Sequence, residues 1–232
     1  MKLNHLSIIL DGNRRWALSK NLPSYEGHKK GAENLWDLIE NVRNYKLKYL
    51  TVFIFSTENW KRSNSETSYL VSLLGIYLDD IISRKKEINI KIRFIGDMSI
   101  FNKKIQDKLC FIENFTYKNS GLTVTLALNY GGRYDILQAV NEILRSKEKF
   151  SSIREEDFKK FTLNFDVPYP DLLIRTGGEM RVSNFLLWDL AYTELIFLKE
   201  MWPDFNKSLL DKCVLDYKKR LRKYGVWSLN FL

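Results

Sequence analysis

The sequence predicts an α/β protein: a single domain in which a central, mostly parallel β-sheet of about six strands is flanked by helices. Three observations carry this expectation. Short apolar bursts alternate with stretches whose apolar residues recur every three or four positions. The bursts are often apolar on consecutive residues, as strands buried on both faces are. No Gly/Pro/Ser-rich linker interrupts the 232 residues, which hold only four prolines, and no solenoid period repeats, so one domain, residues 1–232, is the economical reading.

The strand candidates are residues 6–10, 50–55, 90–95, 122–128, 172–174 and 195–198. The helix candidates are 31–45, 66–86, 100–115, 134–146, 155–161 and 207–223. In the second of these, Leu70, Leu73, Leu74, Tyr77, Leu78 and Ile81 keep the spacing of one helical face. Ligands of open α/β sheets bind beyond the carboxyl ends of the strands. The residues that follow each burst are therefore the informative ones.

After the first strand comes Asp11-Gly12-Asn13-Arg14-Arg15-Trp16. Gly12 allows a tight turn or a close approach to a ligand, and two arginines follow at an expected helix start, where free N–H groups favour anions. Two readings of Asp11 stand side by side. One is a structural ion pair with Arg14 or Arg15. The other is a carboxylate that holds a divalent cation while the arginines hold phosphate oxygens, since Mg²⁺ takes one or two carboxylates plus substrate phosphates. After the second strand comes Ser56-Thr57-Glu58-Asn59-Trp60-Lys61-Arg62, with Ser63 or Asn64 placed to cap the next helix. After the fourth comes the glycine turn Asn129-Tyr130-Gly131-Gly132-Arg133, and after the fifth Arg175-Thr176-Gly177-Gly178-Glu179-Met180-Arg181-Val182-Ser183-Asn184. The last of these could fold round a diphosphate with guanidinium forks and a hydroxyl. Neither the P-loop nor the dinucleotide-binding glycine pattern is present. Glu194 lies in an apolar stretch, where a carboxylate is costly unless it is paired or holds a metal; a cation ligand and a buried arginine pair both account for it.

Composition narrows the classes. With 45% hydrophobic and 28% charged residues the chain is neither disordered nor of low complexity. Cys110 and Cys213 form no CxxC pair, which excludes a disulfide scaffold and points to a reducing compartment. His5 and His28 are too few for a histidine-rich metal site. No signal-peptide pattern and no run of about eighteen apolar residues occurs, so the expected location is the cytoplasm. The net charge of +9 fits an anionic partner (nucleic acid, an anionic membrane surface or a phosphorylated substrate), or simply solvated helix faces. No aromatic-and-basic sheet face emerges, so no nucleic-acid partner is expected.

The motifs D-G-N-R-R-W-A, G-H-K-K-G-A, F-S-T-E-N-W-x-R, N-Y-G-G-R, R-T-G-G-E-x-R-x-S-N-F-L-L-W and W-P-D-F occur in this order. Together they closely resemble the cis-prenyltransferase family over about residues 7–225. The resemblance implies condensation of isopentenyl diphosphate units onto farnesyl diphosphate, giving a long-chain Z-polyprenyl diphosphate such as undecaprenyl diphosphate. It also implies Mg²⁺, a homodimer and a parallel-sheet fold. Carried over by position, Asp11 matches the catalytic, Mg²⁺-binding aspartate. Gly12, Asn13, Arg14, Arg15, Trp16 and His28 match the allylic diphosphate site, and Ser56, Thr57 and Glu58 begin the next substrate loop. Asn59 matches a proton-accepting asparagine, Trp60 and Arg62 substrate contacts, Arg175, Arg181 and Ser183 the isopentenyl diphosphate site, and Glu194 a second metal-associated carboxylate. Two positions depart from the family: Ser24 stands where an arginine is usual, and Met180 where relatives often have histidine. A neutral amide is a very weak base, so Asn59 is expected to orient a group while a diphosphate oxygen or water takes the proton.

The product needs an apolar tunnel. The expected wall is the 66–86 helix, through Leu70, Leu73, Leu74, Tyr77 and Leu78, with Ile54 and Leu126 from strands; core packing explains each equally well. The product is expected to be released at the membrane surface, where Lys218, Lys219, Arg220, Arg222 and Lys223 could make transient contact, although a solvated helix face is the simpler reading of these residues. Asp79-Asp80 reads as a surface pair. The alternative function is a non-catalytic subunit that binds polyprenyl diphosphate, against which Asp11, Arg14, Arg15, Arg175, Arg181 and Glu194 all argue.

Overall fold

The computed structural model describes residues 2–84, 89–146 and 150–221. Six strands form one sheet: β1 (His5–Ile9), β2 (Tyr49–Ser56), β3 (Ile90–Ile95), β4 (Leu122–Tyr130), β5 (Leu172–Arg175) and β6 (Glu194–Phe197). Their order is β3-β4-β2-β1-β5-β6 and every pairing is parallel. The consecutive apolar residues of β1 are explained by burial on both faces. Ile8, Val52 and Ile174 face one core cluster, while Ile9, Phe53 and Leu173 face the other. The strand order reverses around β1, which places a crevice at its carboxyl end.

Seven helices are described: α1 (Asn13–Ser19), α2 (Ser24–Arg43), α3 (Asn64–Ser83), α4 (Lys103–Thr116), α5 (Gly132–Arg145), α6 (Glu155–Lys159) and α7 (Lys207–Lys219). Helix α1 begins at the helix start expected after Asp11. One difference from the sequence expectation has a physical cause: α2 starts seven residues before residue 31. Gly27 and Gly31 weaken the helix signal, yet they stand one turn apart and cut a notch in α2. A Cβ at Gly27 would strike the carbonyl oxygen of Asn13, and one at Gly31 would strike the Asn13 side chain and lie 2.8 Å from the Trp202 ring. Asn34 completes the clamp by donating to the carbonyls of Trp202 (2.7 Å) and Phe205 (2.8 Å), while the Trp202 indole donates to Gly31 (2.6 Å). The W-P-D-F turn thus locks α2 behind the loop that carries Asp11. Lys86 and Lys223, the expected ends of two helices, lie outside the described residues, as does Arg222. Asp79 and Asp80 pair at the surface with Lys108 and Arg84, and Asp80 also accepts from the Trp36 indole.

At the opposite end of the sheet from that crevice, His5 is fully buried. One ring nitrogen bonds the Pro168 carbonyl (2.6 Å) and the other the Thr51 hydroxyl (2.8 Å). Burial holds its pKa down to about 4. The unfolded chain therefore takes up a proton that the folded chain refuses between about pH 4 and 6.5, and stability rises with pH across that window. The expected loss on acidification is about 3 kcal/mol at most. Urea unfolding followed from pH 7 to pH 4 checks this, with His5→Gln expected to flatten the pH dependence.

Candidate functional site

Asp11 is the residue on which the crevice is organised. It follows β1 directly, and Thr176 holds its backbone: the Thr176 hydroxyl accepts from the Asp11 N–H (3.1 Å) and donates to the Asp11 carbonyl (2.8 Å). The carboxylate is divided between two arginines. Oδ2 accepts from Arg175 Nη2 at 2.9 Å and Oδ1 from Arg15 Nη2 at 3.0 Å. Burial alone would raise the Asp11 pKa, but the hydrogen bonds and charges of Arg175 and Arg15 outweigh it and hold the carboxyl below its ordinary value. The ion-pair reading of Asp11 is the one present in the geometry, with Arg15 and Arg175 as partners, and the carboxylate is kept ionised.

Arg175 ends β5 and is only 4% exposed. Its Nη1 donates to Ser183 Oγ (2.7 Å) and to the Arg181 carbonyl, and its Nε has no partner. The loop that returns to it holds Gly177, Gly178, Ser183, Asn184 and Leu186 at positive φ. Three of these are not glycine, and such strain persists only where the surroundings impose it. Gly177 is required, since a Cβ there would lie 2.8 Å from Arg15 Nη2 and 3.0 Å from the Asp11 carbonyl.

Beyond β2 the chain makes a 3-10 turn, Thr57–Lys61. Asn59 closes it, its Oδ1 accepting from the Ser56 N–H at 2.9 Å. The Asn59 oxygen is therefore engaged with the backbone, in keeping with an orienting part. Trp60 is turned into the core, its indole donating to Asn129 Oδ1 at 2.8 Å and packing on Phe55 and Phe101.

Two cavities meet here. The polar one, about 1200 Å³ with its open mouth, is lined by Asp11, Asn13, His28, Ser56, Glu58, Asn59, Arg62, Arg175, Ser183 and Asn184 among others. The apolar one, about 1110 Å³ counted out to its open mouth, is walled by α3 through Leu70, Leu73, Leu74, Tyr77 and Leu78, with Ile54 and Leu126 opposite. All seven residues expected at a tunnel wall are on its lining. Leu10, Asn13, His28, Ile54, Phe55 and Leu70 line both cavities, so the two adjoin. Asn13 Oδ1 and His28 Nε2, at this junction, are buried and without a hydrogen-bond partner. Burial, with the charge of Arg62, lowers the His28 pKa.

Other expected site residues lie off the polar lining. Gly12 caps α1 at φ 106°, packed on Met201. Trp16 donates to Asp204 at 2.7 Å. Thr57 abuts Gly131. Arg15 and Arg181 share Glu179, at 3.7 and 2.5 Å. Arg14 faces Glu66.

The structure does not bring Glu194 to Asp11. Glu194 is in register with Leu172, whereas Ile9, two residues before Asp11, is in register with Arg175. Glu194 thus starts the edge strand at the far end of the sheet, with its carboxylate on Arg220 at 2.9 Å. The apolar run around it misleads because β6 is an edge strand, half-buried along its whole length. Of the two accounts open for Glu194, the arginine pair is the one seen within this chain.

Sequence reasoning passed over Asn184. Its Nδ2 donates to Glu58 (2.8 Å), its Oδ1 accepts from the Arg133 N–H (2.9 Å), and its carbonyl accepts from the Gly132 N–H (2.6 Å). It ties three loops at once, from a left-handed backbone of φ 64°.

A hard divalent cation fits the donors present. Asp11 is an ionised carboxylate with lone pairs left over from its two arginine bonds, and Asn13 Oδ1 is an unpartnered oxygen on the same cavity. Among the described residues no group of three or more His, Cys, Asp or Glu gathers, so the remaining ligands would come from substrate phosphates and water. Among the described residues, too, no helix is long and apolar enough to cross a membrane.

The prenyltransferase family model for undecaprenyl diphosphate synthases matches residues 9–225. An isoprenyl transferase of Neisseria gonorrhoeae is 43% identical over 221 residues, 95% of this chain and 88% of that protein. A ditrans,polycis-undecaprenyl-diphosphate synthase ((2E,6E)-farnesyl-diphosphate specific) of Wigglesworthia glossinidia brevipalpis is 42% identical over 97% of this chain and 88% of its own. Among solved structures, lavandulyl diphosphate synthase from Lavandula x intermedia, in complex with dimethylallyl diphosphate, superposes with a TM-score of 0.91 at 32% identity, over 97% of this chain and 98% of that one. A probable undecaprenyl diphosphate synthase from Campylobacter jejuni gives 0.81 at 29% identity, over 97% and 99%.

Proposed function

The chain belongs to the undecaprenyl diphosphate synthase family of prenyltransferases, and on that premise we propose that it adds isopentenyl diphosphate units to farnesyl diphosphate to build a long-chain Z-polyprenyl diphosphate of the undecaprenyl type. One observation carries this reading: a polar cavity built on Asp11 and Arg175 adjoins an apolar one walled by α3 and shares six lining residues with it. The first suits two diphosphates, the second a growing hydrocarbon chain. A subunit that only stored the lipid has no use for a carboxylate held ionised in the polar cavity.

Asp11, with Asn13 near it, would hold Mg²⁺, which when bound neutralises charge growing on a departing diphosphate. Arg175 and Ser183 bind isopentenyl diphosphate alongside. The allylic carbon–oxygen bond breaks, its electron pair leaves with diphosphate, and the double bond of isopentenyl diphosphate attacks the allylic carbon. A proton is then lost to a diphosphate oxygen or water while Asn59 orients the loop. Positioning and fixed charge do most of this work. Each five-carbon unit entering the tunnel gains at most about 4 kcal/mol from burial, enough to draw the chain inward.

The test is incubation of the purified protein with farnesyl diphosphate, labelled isopentenyl diphosphate and Mg²⁺, followed by sizing of the lipid. No lipid product would sink the proposal. Val124, on the tunnel lining of β4, provides an internal check. Val124→Phe fills space that is empty without substrate, so the product is expected to shorten by at least one five-carbon unit while the enzyme stays folded.

The homodimer is part of the same proposal. Tyr134, Leu137, Val140 and Leu144 form an exposed apolar stripe along α5, suited to a second copy; sedimentation velocity checks it. Release at a membrane surface is checked by adding phospholipid vesicles, which should speed turnover. Arg220 is already paired with Glu194 and Asp216, so of the expected basic patch Lys218 and Lys219 are the described cations left to meet a bilayer.

A further inference from the structure

Glu66 occupies the third position of α3, after the cap residue Ser63, and Ser63-Asn64-Ser65-Glu66 has the spacing of a capping box. Half of the box forms, since the Ser63 hydroxyl accepts from the Glu66 N–H at 3.4 Å. The carboxylate is turned elsewhere. Its Oε1 accepts from Arg62 Nη1 at 2.7 Å and lies 3.8 Å from His28 Nε2, and its Oε2 lies 3.9 Å from Arg14 Nη1. Only 15% of the Glu66 side chain is exposed, against 63% for Arg14 and 38% for Arg62. One sheltered carboxylate has thus drawn together groups from α1, α2 and the turn before α3. Arg14 and His28 are among the groups matched above to the allylic diphosphate site and Arg62 is matched to a substrate contact, and the inference rests on that assignment.

We propose that Glu66 is an internal stand-in for the allylic diphosphate, which holds Arg14 and Arg62 in the empty enzyme and must yield them when substrate arrives. A carboxylate offers two oxygens and one negative charge. A diphosphate offers more of both and wins the exchange, while a monophosphate gains less. Glu66 therefore sets a threshold that favours diphosphates, in the way a built-in competitor confers specificity. The exchange also frees the first turn of α3, and α3 is the tunnel wall. Occupation of the head-group site is thereby coupled to the wall that receives the chain.

The experiment is calorimetric titration of wild type, Glu66→Gln and Glu66→Asp with inorganic diphosphate and, separately, inorganic phosphate. Glu66→Gln should bind diphosphate about fivefold more tightly, the effect of removing one partly exposed competing charge. Phosphate should gain more than diphosphate, so discrimination narrows. Glu66→Asp keeps the charge but is too short to span Arg14 and Arg62, and should shift both affinities the same way by less. It serves as the test should Glu66→Gln fail to fold. Unchanged or weaker diphosphate binding in a folded variant overturns the stand-in role. Prenyl transfer by the wild type is measured in parallel. If wild type makes lipid and the variants bind no tighter, the stand-in alone falls; if wild type makes none, the catalytic reading falls first.

Discussion

Replacing Asp11 with Asn is expected to lower prenyl transfer by on the order of a thousandfold, the size of effect seen when one charge-stabilising group is removed from a site of this kind. Asn keeps the shape and can still accept from Arg175, but it cannot neutralise Arg175 and Arg15 or ligate a hard cation strongly. The second consequence is structural. Arg175 is nearly sealed from water and its Nε is already without a partner. Losing the Asp11 charge leaves it poorly compensated. Breaking a fully buried pair costs about 3–5 kcal/mol. The side chain of Asp11 is 29% open, so a figure nearer 2 kcal/mol is expected here. Turnover and thermal unfolding of Asp11→Asn check both halves. A variant that keeps wild-type turnover removes Asp11 from the chemistry. The pH dependence has a definite sign: because the folded carboxyl is held below its ordinary value, its contribution to stability is present above that value and is lost as pH falls through the lower folded one.

Arg175→Lys is expected to cost about a hundredfold or more in kcat/KM for isopentenyl diphosphate, with much less change in KM for farnesyl diphosphate. A guanidinium reaches Ser183, the Arg181 carbonyl and Asp11 at once because its donors form a planar fork. An ammonium on a flexible stem is a point charge and cannot hold all three. Two charge-assisted hydrogen bonds at about 1.5–3 kcal/mol each are at stake, and with them the strained loop that presents Ser183. Steady-state kinetics with each substrate varied in turn checks this. If the loss falls mainly on farnesyl diphosphate, Arg175 serves the other head-group site.

The strands were legible because β1, β2, β4 and β5 bury both faces and so read as short, mostly apolar runs. The tunnel wall was legible because α3 repeats its apolar residues at helical spacing; that these residues line a cavity and not a filled core was not, since pattern records polarity and not volume. The start of α2 was hidden because Gly27 and Gly31 serve Asn13 and Trp202, which lie elsewhere in the chain. Asn184 and Glu66 escaped for the same reason. Asn184 matters through Glu58, Gly132 and Arg133, and Glu66 through Arg14, His28 and Arg62, and no local pattern announces either set.

By itself the sequence determined the α/β class, the parallel sheet, the polar loops at the carboxyl ends of the strands and the family. Each of these follows from residue type and spacing along the chain. The tertiary structure alone decided which charges meet. It set Asp11 between Arg15 and Arg175, gave Arg181 to Glu179, and held Glu194 at the far end of an edge strand on Arg220. Ion pairing depends on separations of a few ångströms between residues as many as 164 positions apart, and the strand order that brings those residues together is a property of the folded sheet.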